Sequence, residues 1–366
     1  MADKIRVGIV GATVTPGGSG WGAKAHVPAL QTLPGFELKA VCTAHEETAK
    51  ASAKEFNAEL AFHDMKTMAT NPNIDMVAVV VRVPWHLELV TTALEAGKPV
   101  CCEWPLGANL AEAQQMADLA NKHGLMTAVG LQGQSDPAIM YARDMVANGE
   151  LGEILTANLS VMAGAVTTRG DGRIWQGIRK NGANPMTIPG GHSIDALCLI
   201  LGEFAQVSAR VTTKITNWTH AVTGDDFAVD APDNVTASGV LHSGTEVSYH
   251  LASVPHSPSG TRLEIYGSKG TLVLTSQSMN IGPTKVFRAI GSEEMKELTP
   301  PDSYRLVPAD MATGPGRNVA QAYARFAQSM QAGSAHSPTF DDAVVRHRLI
   351  DAMERSSNEG RAISLD

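Results

Sequence analysis

The residues of this chain with the clearest chemical use are glycines near the N-terminus. Gly11 ends a short β-branched run, and the stretch GATVTPGGSGWGAK leads from it to an apolar, helix-compatible segment. Glycine lets backbone N–H groups approach a phosphate, and a helix N-terminus favours its negative charge. The context therefore predicts a pyrophosphate site at Gly11, Ala12, Gly18 and Gly20, although the loop is longer than the usual G-x-G-x-x-G. The alternative is a flexible surface loop.

The end of the second predicted strand bears on which dinucleotide binds. Cys42–His45 contains no acid, and the first acid to follow is Glu46. An acid at the strand end would bind the ribose 2′-hydroxyl of NAD, whereas Thr43 could bond a 2′-phosphate. His45 could lie near that phosphate or be a solvated residue at the helix start, and no arginine follows to neutralise the phosphate. The sequence thus slightly favours NADP over NAD.

Positioning these residues requires a scaffold, which the first third of the chain supplies as alternating strands and helices. Uninterrupted apolar strands are typical of sheets buried on both faces, and the βαβ repetition predicts a doubly wound parallel sheet in an α/β protein. The predicted strands are Ile5–Val10, Phe36–Cys42, Met76–Val81, Val100–Cys102 and Met126–Gly130. The predicted helices are Ala23–Leu33, Glu46–Phe56, Leu87–Ala96 and Ala111–His123.

Beyond about residue 133 the pattern becomes rich in strands. A helix at Pro137–Asn148 precedes strand candidates that predict a large, mostly antiparallel sheet. We expect the glycine-containing stretch Gly164–Gly191 to be a long loop lining a cleft, and two helices, 318–331 and 341–356, to pack back on the body. The strand candidates are Ile154–Val161, Val207–Thr213, Val235–Leu241, Glu246–Ala252, Leu263–Tyr266 and Thr271–Leu274.

Composition excludes several classes of protein. A chain of 366 residues with 43% apolar content indicates two globular domains. A formal net charge of −8 gives no electrostatic reason to bind nucleic acid or an anionic membrane. The four cysteines form neither a CxxC pair nor a disulfide framework, which fits reduced thiols in a cytoplasm. No apolar stretch approaches the roughly 20 residues of a membrane span, and no export signal is expected. His242, His250 and His256 lie near one another in sequence but lack a recognised metal-ligand spacing.

Four segments together resemble the glucose-fructose oxidoreductase, inositol dehydrogenase and MocA family over nearly the whole chain. They are VGIVGA…GWGAKAHVPAL, IDMVAVVVRVPWHLELVTTALEAGKPVCCEWPLG, DPAIMYARDMVANGELGEI and LEIYGSKGTLVL. The resemblance implies a Rossmann domain at residues 1–132. It also implies an α/β domain at 133–366 that binds substrate and supports a homodimer or homotetramer. Within the family, EWPL and the inserted glycine loop look most like the branch containing the galactose-pathway repressor.

Two positions depart from the family's polar pattern. Trp104 stands where the family has a lysine, and Ile188 stands where it has an aspartate. His192 matches the family's histidine and is the best candidate to exchange a proton with substrate, with a core histidine as the alternative. Asp195, three residues later, could orient His192 or simply be an acid in the first turn of a helix.

The resemblance also implies further ligand contacts. For the cofactor these are Trp21, Val83, Pro84, Glu103 and Trp104, and core packing is the alternative for Trp104. For the substrate, aromatic stacking, charge or hydrogen bonding makes candidates of Lys24, Gln132, Arg173, Trp175 and Lys180. Solvent exposure of the charged side chains, packing of Trp175 and structural hydrogen bonding of Gln132 are the competing interpretations.

These observations predict an NAD(P)-dependent oxidoreductase that acts at a secondary alcohol or carbonyl of a sugar, polyol or cyclic analogue. Loss of the family's lysine leaves an imine substrate open. The changes at Trp104 and Ile188 also leave open a second class, a non-catalytic regulator that senses a dinucleotide.

Overall fold

The computed structural model describes residues 4–15, 20–308, 311 and 314–365, without the side chain of residue 315. The chain divides into two compact units. The first comprises residues 1–132, 170–175 and 306–345, and the second comprises 133–169, 176–305 and 346–366. The prediction divided the chain once, after residue 132. The first unit begins with that same segment but also includes two later ones.

The strands, in chain order, are β1 (Ile5–Val10), β2 (Phe36–Cys42), β3 (Leu60–Phe62), β4 (Met76–Val79), β5 (Val100–Cys102), β6 (Thr127–Val129), β7 (Ile154–Gly164), β8 (Thr168–Arg169), β9 (Phe204–Thr212), β10 (Asn217–His220), β11 (Asp226–Ala228), β12 (Asn234–Leu241), β13 (Glu246–Val254), β14 (Gly260–Gly267), β15 (Gly270–Ser276), β16 (Lys285–Ile290), β17 (Lys296–Leu298) and β18 (Ile363–Ser364). The α-helices are α1 (Val27–Thr32), α2 (Glu46–Glu55), α3 (Met65–Ala69), α4 (His86–Glu95), α5 (Leu110–His123), α6 (Pro137–Ala147), α7 (Gly191–Leu201), α8 (Pro315–Ala332) and α9 (Phe340–Glu359).

The first unit is built on a parallel sheet. Within the described residues its strand order is β3-β2-β1-β4-β5-β6, and every pair of neighbours is parallel. The order reverses between β1 and β4, so a crevice is expected outside the carboxyl ends of these two strands. All four residues of β4 are buried, as predicted for a central strand covered on both faces. The predicted doubly wound sheet is confirmed.

Helix α8 completes the core of the first unit. Its Tyr323 and Phe326 are buried against Leu30 of α1 and Phe36 of β2. The rings of Tyr323 and Phe36 meet edge to face with centroids 5.5 Å apart. Helix α8 therefore contributes to the core of the first unit.

The second unit is built on a mixed sheet. Its order in the described chain is β17-β16-β15-β14-β7-β13-β12-β9-β18, and every pair is antiparallel except the parallel pair β7–β13. Alternating buried and exposed residues along β13 indicate one packed and one open face. The mostly antiparallel sheet is thus confirmed, and its parallel pair is the difference from a purely antiparallel arrangement.

The stretch predicted as a long loop contains local structure. A small sheet of order β11-β10-β8 begins there, and short 3-10 turns follow at Ile174–Gly177 and Arg179–Asn181. A π-helical turn, Met186–Gly190, then leads directly into α7. Neither the two-residue strand nor the single turns are long enough to give a periodic signal in sequence.

Candidate functional site

The first unit brings most of the predicted cofactor residues to one edge of its sheet. Gly11 and Ala12 follow β1, Thr43 follows β2, and Glu103 follows β5. The turn containing Val83 and Pro84 comes shortly after β4. Because all six strands are parallel, their carboxyl ends share this edge, which is where ligands of such sheets bind.

The turn after β1 has the close backbone packing that a phosphate cradle requires. Gly11 has φ +97°, and a Cβ placed on it would lie 2.1 Å from the carbonyl oxygen of Val80. A Cβ on Gly22 would lie 3.0 Å from the Gly11 carbonyl oxygen and the Ala12 Cα. A π-helical turn, Gly22–His26, continues into α1 directly beyond the loop. The described part of this turn fits the pyrophosphate of a dinucleotide.

Other predicted residues of this loop have differing environments. Gly20 has φ +70° and packs beside the Lys24 side chain, where an added Cβ would lie 3.3 Å from Lys24 Cε. Trp21 is half-buried and Lys24 is exposed. Gly18, also predicted to contact phosphate, lies outside the described residues.

At the end of β2 a hydroxyl pair occupies the place of the usual acid. Thr43 Oγ1 lies 2.6 Å from Thr48 Oγ1, and it donates to the His45 carbonyl oxygen at 3.0 Å. His45 itself is exposed immediately before α2. The following acid, Glu46, bonds Lys50, whose ammonium together with His63 lowers the pKa of that carboxyl. Cys42–His45 itself supplies no carboxylate, whereas burial and then the nearby Asp64 carboxylate raise the pKa of the Cys42 thiol at the end of β2.

At the end of β5, Glu103 belongs to a buried hydrogen-bonded group. Its Oε1 lies 3.1 Å from His26 Nε2, and His26 Nδ1 lies 2.8 Å from the Tyr323 hydroxyl. The Glu103 side chain is 14% exposed and that of His26 only 2%. A Cβ on Gly130 would lie 2.5 Å from Glu103 Oε1, so the glycine leaves space for the carboxylate. Trp104, the residue that replaces the family's lysine, is buried.

The end of β6 carries a buried amide. Gln132 is 1% exposed, and within the described chain neither its Nε2 nor its Oε1 has a hydrogen-bond partner. Ser337 Oγ is likewise buried without one. Both residues line a cavity of about 20 Å³ together with His26, Glu103 and Tyr323. A buried amide without a partner costs free energy. Such a group in a native protein usually bonds a ligand or an internal water.

The segment 170–175 adds an aromatic side chain to the first unit. The guanidinium carbon of Arg82 lies 5.8 Å from the centre of a Trp175 ring, and Arg82 Nη2 donates to the Asp171 carbonyl oxygen at 2.9 Å. Trp175 Nε1 donates to the Gly172 carbonyl oxygen at 2.9 Å. One face of the indole is therefore engaged by a cation, which leaves less of Trp175 for stacking on a sugar. Arg173 is exposed.

In the second unit, His192 lies in the first turn of α7 and Asp195 lies beyond that turn, so the alternative of a first-turn acid is wrong for Asp195. His192 is 4% and Asp195 is 2% exposed. Asp195 Oδ1 accepts hydrogen bonds from Gln134 Nε2 at 3.1 Å and from Arg346 Nε at 3.3 Å. Lys180 of the same unit is exposed. The hydrogen bonds from Gln134 and Arg346 are those of a carboxylate that stabilises the fold. His192 stays a candidate because of its position in the family motif.

Burial dominates the electrostatics of Asp195. It raises the pKa of the carboxyl to about 6, and the Arg346 guanidinium and Gln134 amide offset only part of that shift. Arg346 also donates to Glu203 through Nη1 and Nη2 at 3.2 and 2.8 Å, so its charge is shared between two carboxylates. Sequence reasoning missed Arg346, which is 151 positions from Asp195 and belongs to no recognised motif.

A parallel sheet with a glycine turn at its switch point, and with Glu103 at a neighbouring strand end, defines the class: a dinucleotide-binding Rossmann protein. Two family models match. One, described as "Oxidoreductase family, NAD-binding Rossmann fold", covers residues 5–131, and the other, for the C-terminal domain of Gal80p, covers 137–276. The chain belongs to the glucose-fructose oxidoreductase, inositol dehydrogenase and MocA family, as its motifs indicated.

Individual relatives span both enzymes and a regulator. The dehydrogenase aclE of Aspergillus oryzae is 30% identical over 100% of this chain and 99% of its own. The galactose/lactose metabolism regulatory protein GAL80 of Saccharomyces cerevisiae is 23% identical over 100% and 95% of the two chains.

Solved structures share the fold over the whole chain. A super-repressor mutant of Gal80p from Saccharomyces cerevisiae superposes with a TM-score of 0.86 at 23% identity, covering 99% of this chain and 98% of the other. Levoglucosan dehydrogenase in complex with NADH and levoglucosan also has a TM-score of 0.86, at 22% identity and 100% coverage of both chains.

Among the residues described, no helix is both long and apolar enough to span a bilayer.

Proposed function

We propose that this protein is an NAD(P)-dependent dehydrogenase that acts on a secondary alcohol or carbonyl of a sugar, polyol or cyclic analogue. The observation that carries the proposal is the glycine turn after β1, whose backbone packing leaves no room for a side chain at Gly11. Full-length likeness to a dehydrogenase supports an enzyme, and a relative named levoglucosan dehydrogenase supports a sugar-like substrate.

When bound, the nicotinamide would supply or accept the hydride. The chain's own contribution is positioning and proton exchange. The backbone at Gly11, Gly20 and Gly22 would hold the pyrophosphate, and Glu103 would face the nicotinamide end because it follows β5. His192 would exchange the proton of the substrate hydroxyl, since an imidazole titrates near neutral pH and an indole at position 104 cannot.

The buried amide of Gln132 is assigned to the ligand. It has two polar atoms without a partner among the described residues and lines the same cavity as Glu103. A site built to bond a polar ligand carries such groups because the ligand completes their hydrogen bonds. The other substrate candidates, Lys24, Arg173, Trp175 and Lys180, stay predictions, as does assembly into a homo-oligomer.

For the cofactor we propose NADP, with NAD as the alternative. The pair of hydroxyls from Thr43 and Thr48 stands where an acid would repel a 2′-phosphate, and the first acid to follow in sequence, Glu46, is paired with Lys50. The segment Cys42–His45 supplies no acid of its own, and an acid in that segment is the main feature that selects NAD.

A second candidate function is a nucleotide-sensing regulator without turnover. It is favoured by Trp104 and Ile188, which replace two polar residues of the family's catalytic pattern, and by the match to GAL80. His192 persists, and this is why we place the enzyme first.

The two functions are separated by one experiment. NADH and NADPH binding is titrated by nicotinamide fluorescence, and turnover is then followed at the nicotinamide absorbance over sugars, polyols, carbonyl compounds and imines. The dehydrogenase requires both binding and turnover of at least one sugar or polyol. Binding without turnover throughout the panel would support the regulator, and no binding would reject both.

A further inference from the structure

Two buried histidines contact the segment Glu103–Leu106 from different parts of the first unit. His26 reaches it through the Glu103 side chain, at 3.1 Å. His86, the first residue of α4 and 1% exposed, reaches it through the backbone. Its Nδ1 lies 3.0 Å from the Pro105 carbonyl oxygen and 3.1 Å from that of Leu106.

The other ring nitrogen of His86 joins this segment to the preceding strand connection. Nε2 lies 3.2 Å from the carbonyl oxygen of Val81, shortly beyond β4. His86 thus bridges the connections that follow two adjacent strands, β4 and β5, at the edge where we place the cofactor. Trp104 lies in the middle of the segment that the two histidines hold.

Hydrogen-bond chemistry fixes the tautomer of each ring. Carbonyl oxygens only accept, so a His86 nitrogen that bonds one must carry a hydrogen. Burial lowers the pKa of His86, which favours the neutral ring with a single N–H. Nδ1 faces two acceptors at 3.0 and 3.1 Å whereas Nε2 faces one at 3.2 Å, so the hydrogen belongs on Nδ1.

The same reasoning gives His26 the opposite tautomer. The Glu103 carboxylate only accepts, so His26 Nε2 carries a hydrogen. In the neutral ring Nδ1 is then an acceptor, and the Tyr323 hydroxyl donates to it at 2.8 Å. Tyr323 therefore orients His26, and His26 orients Glu103.

We propose that His26 and His86 are positioning residues that hold Glu103–Leu106, and Trp104 within it, in the conformation that receives the nicotinamide. The inference rests on the proposed function for the identity of the ligand. The conformation that His26 and His86 give to Glu103–Leu106 is a property of the protein without ligand, and it is tested separately.

The test compares three variants in one helix. His86→Leu removes every hydrogen bond of the ring, whereas the amide of His86→Asn can still donate from a position near Nδ1. Val90→Ala shortens a fully buried side chain of α4 and serves as a control for general destabilisation. Hydrogen–deuterium exchange of the peptide covering 103–107 is measured without nucleotide, and dissociation constants for NADH and NADPH are measured in parallel.

We expect His86→Leu to speed exchange across 103–107 and to weaken nucleotide binding, each by about tenfold, the effect of one lost hydrogen bond. His86→Asn should restore both to within about threefold of wild type, and Val90→Ala should change neither selectively. Equal effects of His86→Leu and Val90→Ala, or no rescue by asparagine, would overturn the proposal.

Nitrogen-15 NMR of the wild-type histidines tests the same claim without a mutation. Nδ1–H on His86 and Nε2–H on His26 are required, and the reverse assignment at either ring would refute it. If the wild type binds no nicotinamide nucleotide, the proposed function fails, while the exchange and NMR results still decide whether the two histidines hold the segment.

Discussion

Replacing Gln132 by methionine should make the ligand-free protein more stable. Both polar atoms of this side chain are buried without a partner among the described residues. An unsatisfied buried polar group costs about 1–3 kcal/mol, and methionine has a similar length without the amide. We therefore expect Gln132→Met to raise the free energy of unfolding by roughly 1–3 kcal/mol.

Gln134 provides a matched control two residues away. Its Nε2 donates to Asp195 Oδ1 at 3.1 Å. Gln134→Met therefore removes a hydrogen bond, whereas Gln132→Met removes polar atoms that have no partner among the described residues. That substitution should lower the free energy of unfolding by about 1–2 kcal/mol. Both variants are measured by urea unfolding at pH 7 with and without NADPH, and turnover on the substrate found in the panel is followed in parallel.

The prediction couples stability to function. Gln132→Met should gain stability while it raises the KM for that substrate, because the amide is retained for a ligand. If both variants lose stability equally, the amide of Gln132 is bonded in the native protein. The cavity of about 20 Å³ has room for one water, which would then be its partner. That result would show that the amide of Gln132 is not kept for a ligand.

Three further predictions concern the glycine turn, the ribose end of the cofactor site and Asp195. Gly22→Ala should weaken NADPH binding by about tenfold or more, because its Cβ would meet backbone atoms at 3.0 Å. Gly35→Ala is the control, since nothing lies within 4 Å of a Cβ there, and it should leave NADPH binding unchanged. Equal dissociation constants for the two variants would contradict a phosphate cradle at this turn. Thr43→Asp should shift the ratio of NADPH to NADH affinity at least about tenfold toward NADH, and an unchanged ratio would remove Thr43 from the ribose site. The folded pKa of Asp195, about 6, exceeds its ordinary 3.8, so its contribution to stability is complete below about pH 4 and is lost as pH rises through 6. Asp195→Asn should remove that fall, and wild-type and variant unfolding free energies that stay parallel between pH 4 and 7 would contradict it.

The sheet of the first unit could be predicted because its strands carry a strong local signal. Met76–Val79 is apolar throughout and buried throughout, and Gly11 ends the first strand where the chain must turn. β3 was not predicted because it has three residues, an exposed Ala61 between the half-buried Leu60 and Phe62, which are too few to give a periodic signal. Segment 170–175 joins the first unit although its neighbours on both sides belong to the second, which no local pattern reveals.

Residues of the candidate site could be predicted where they belong to a motif. Their partners from distant parts of the sequence could not. Glu103 and His192 follow from family motifs, whereas the Tyr323 hydroxyl reaches His26 across 297 positions of sequence. Arg346 reaches Asp195 in the same way, from a helix that shares no motif with α7. Burial and hydrogen bonds of this kind depend on the tertiary fold, and a single sequence does not encode them in a local pattern.

We propose a dehydrogenase in which His192 exchanges the substrate proton. This role is tested by the steady-state turnover of wild type and His192→Ala on the best substrate of the panel, with NADPH affinity and folding checked for both. We predict unchanged nucleotide affinity and a turnover lower by something on the order of 10²–10⁴, as for loss of a general acid or base. Turnover by the alanine variant equal to that of the wild type would contradict the role of His192, and nucleotide binding without any wild-type turnover would contradict the enzyme itself.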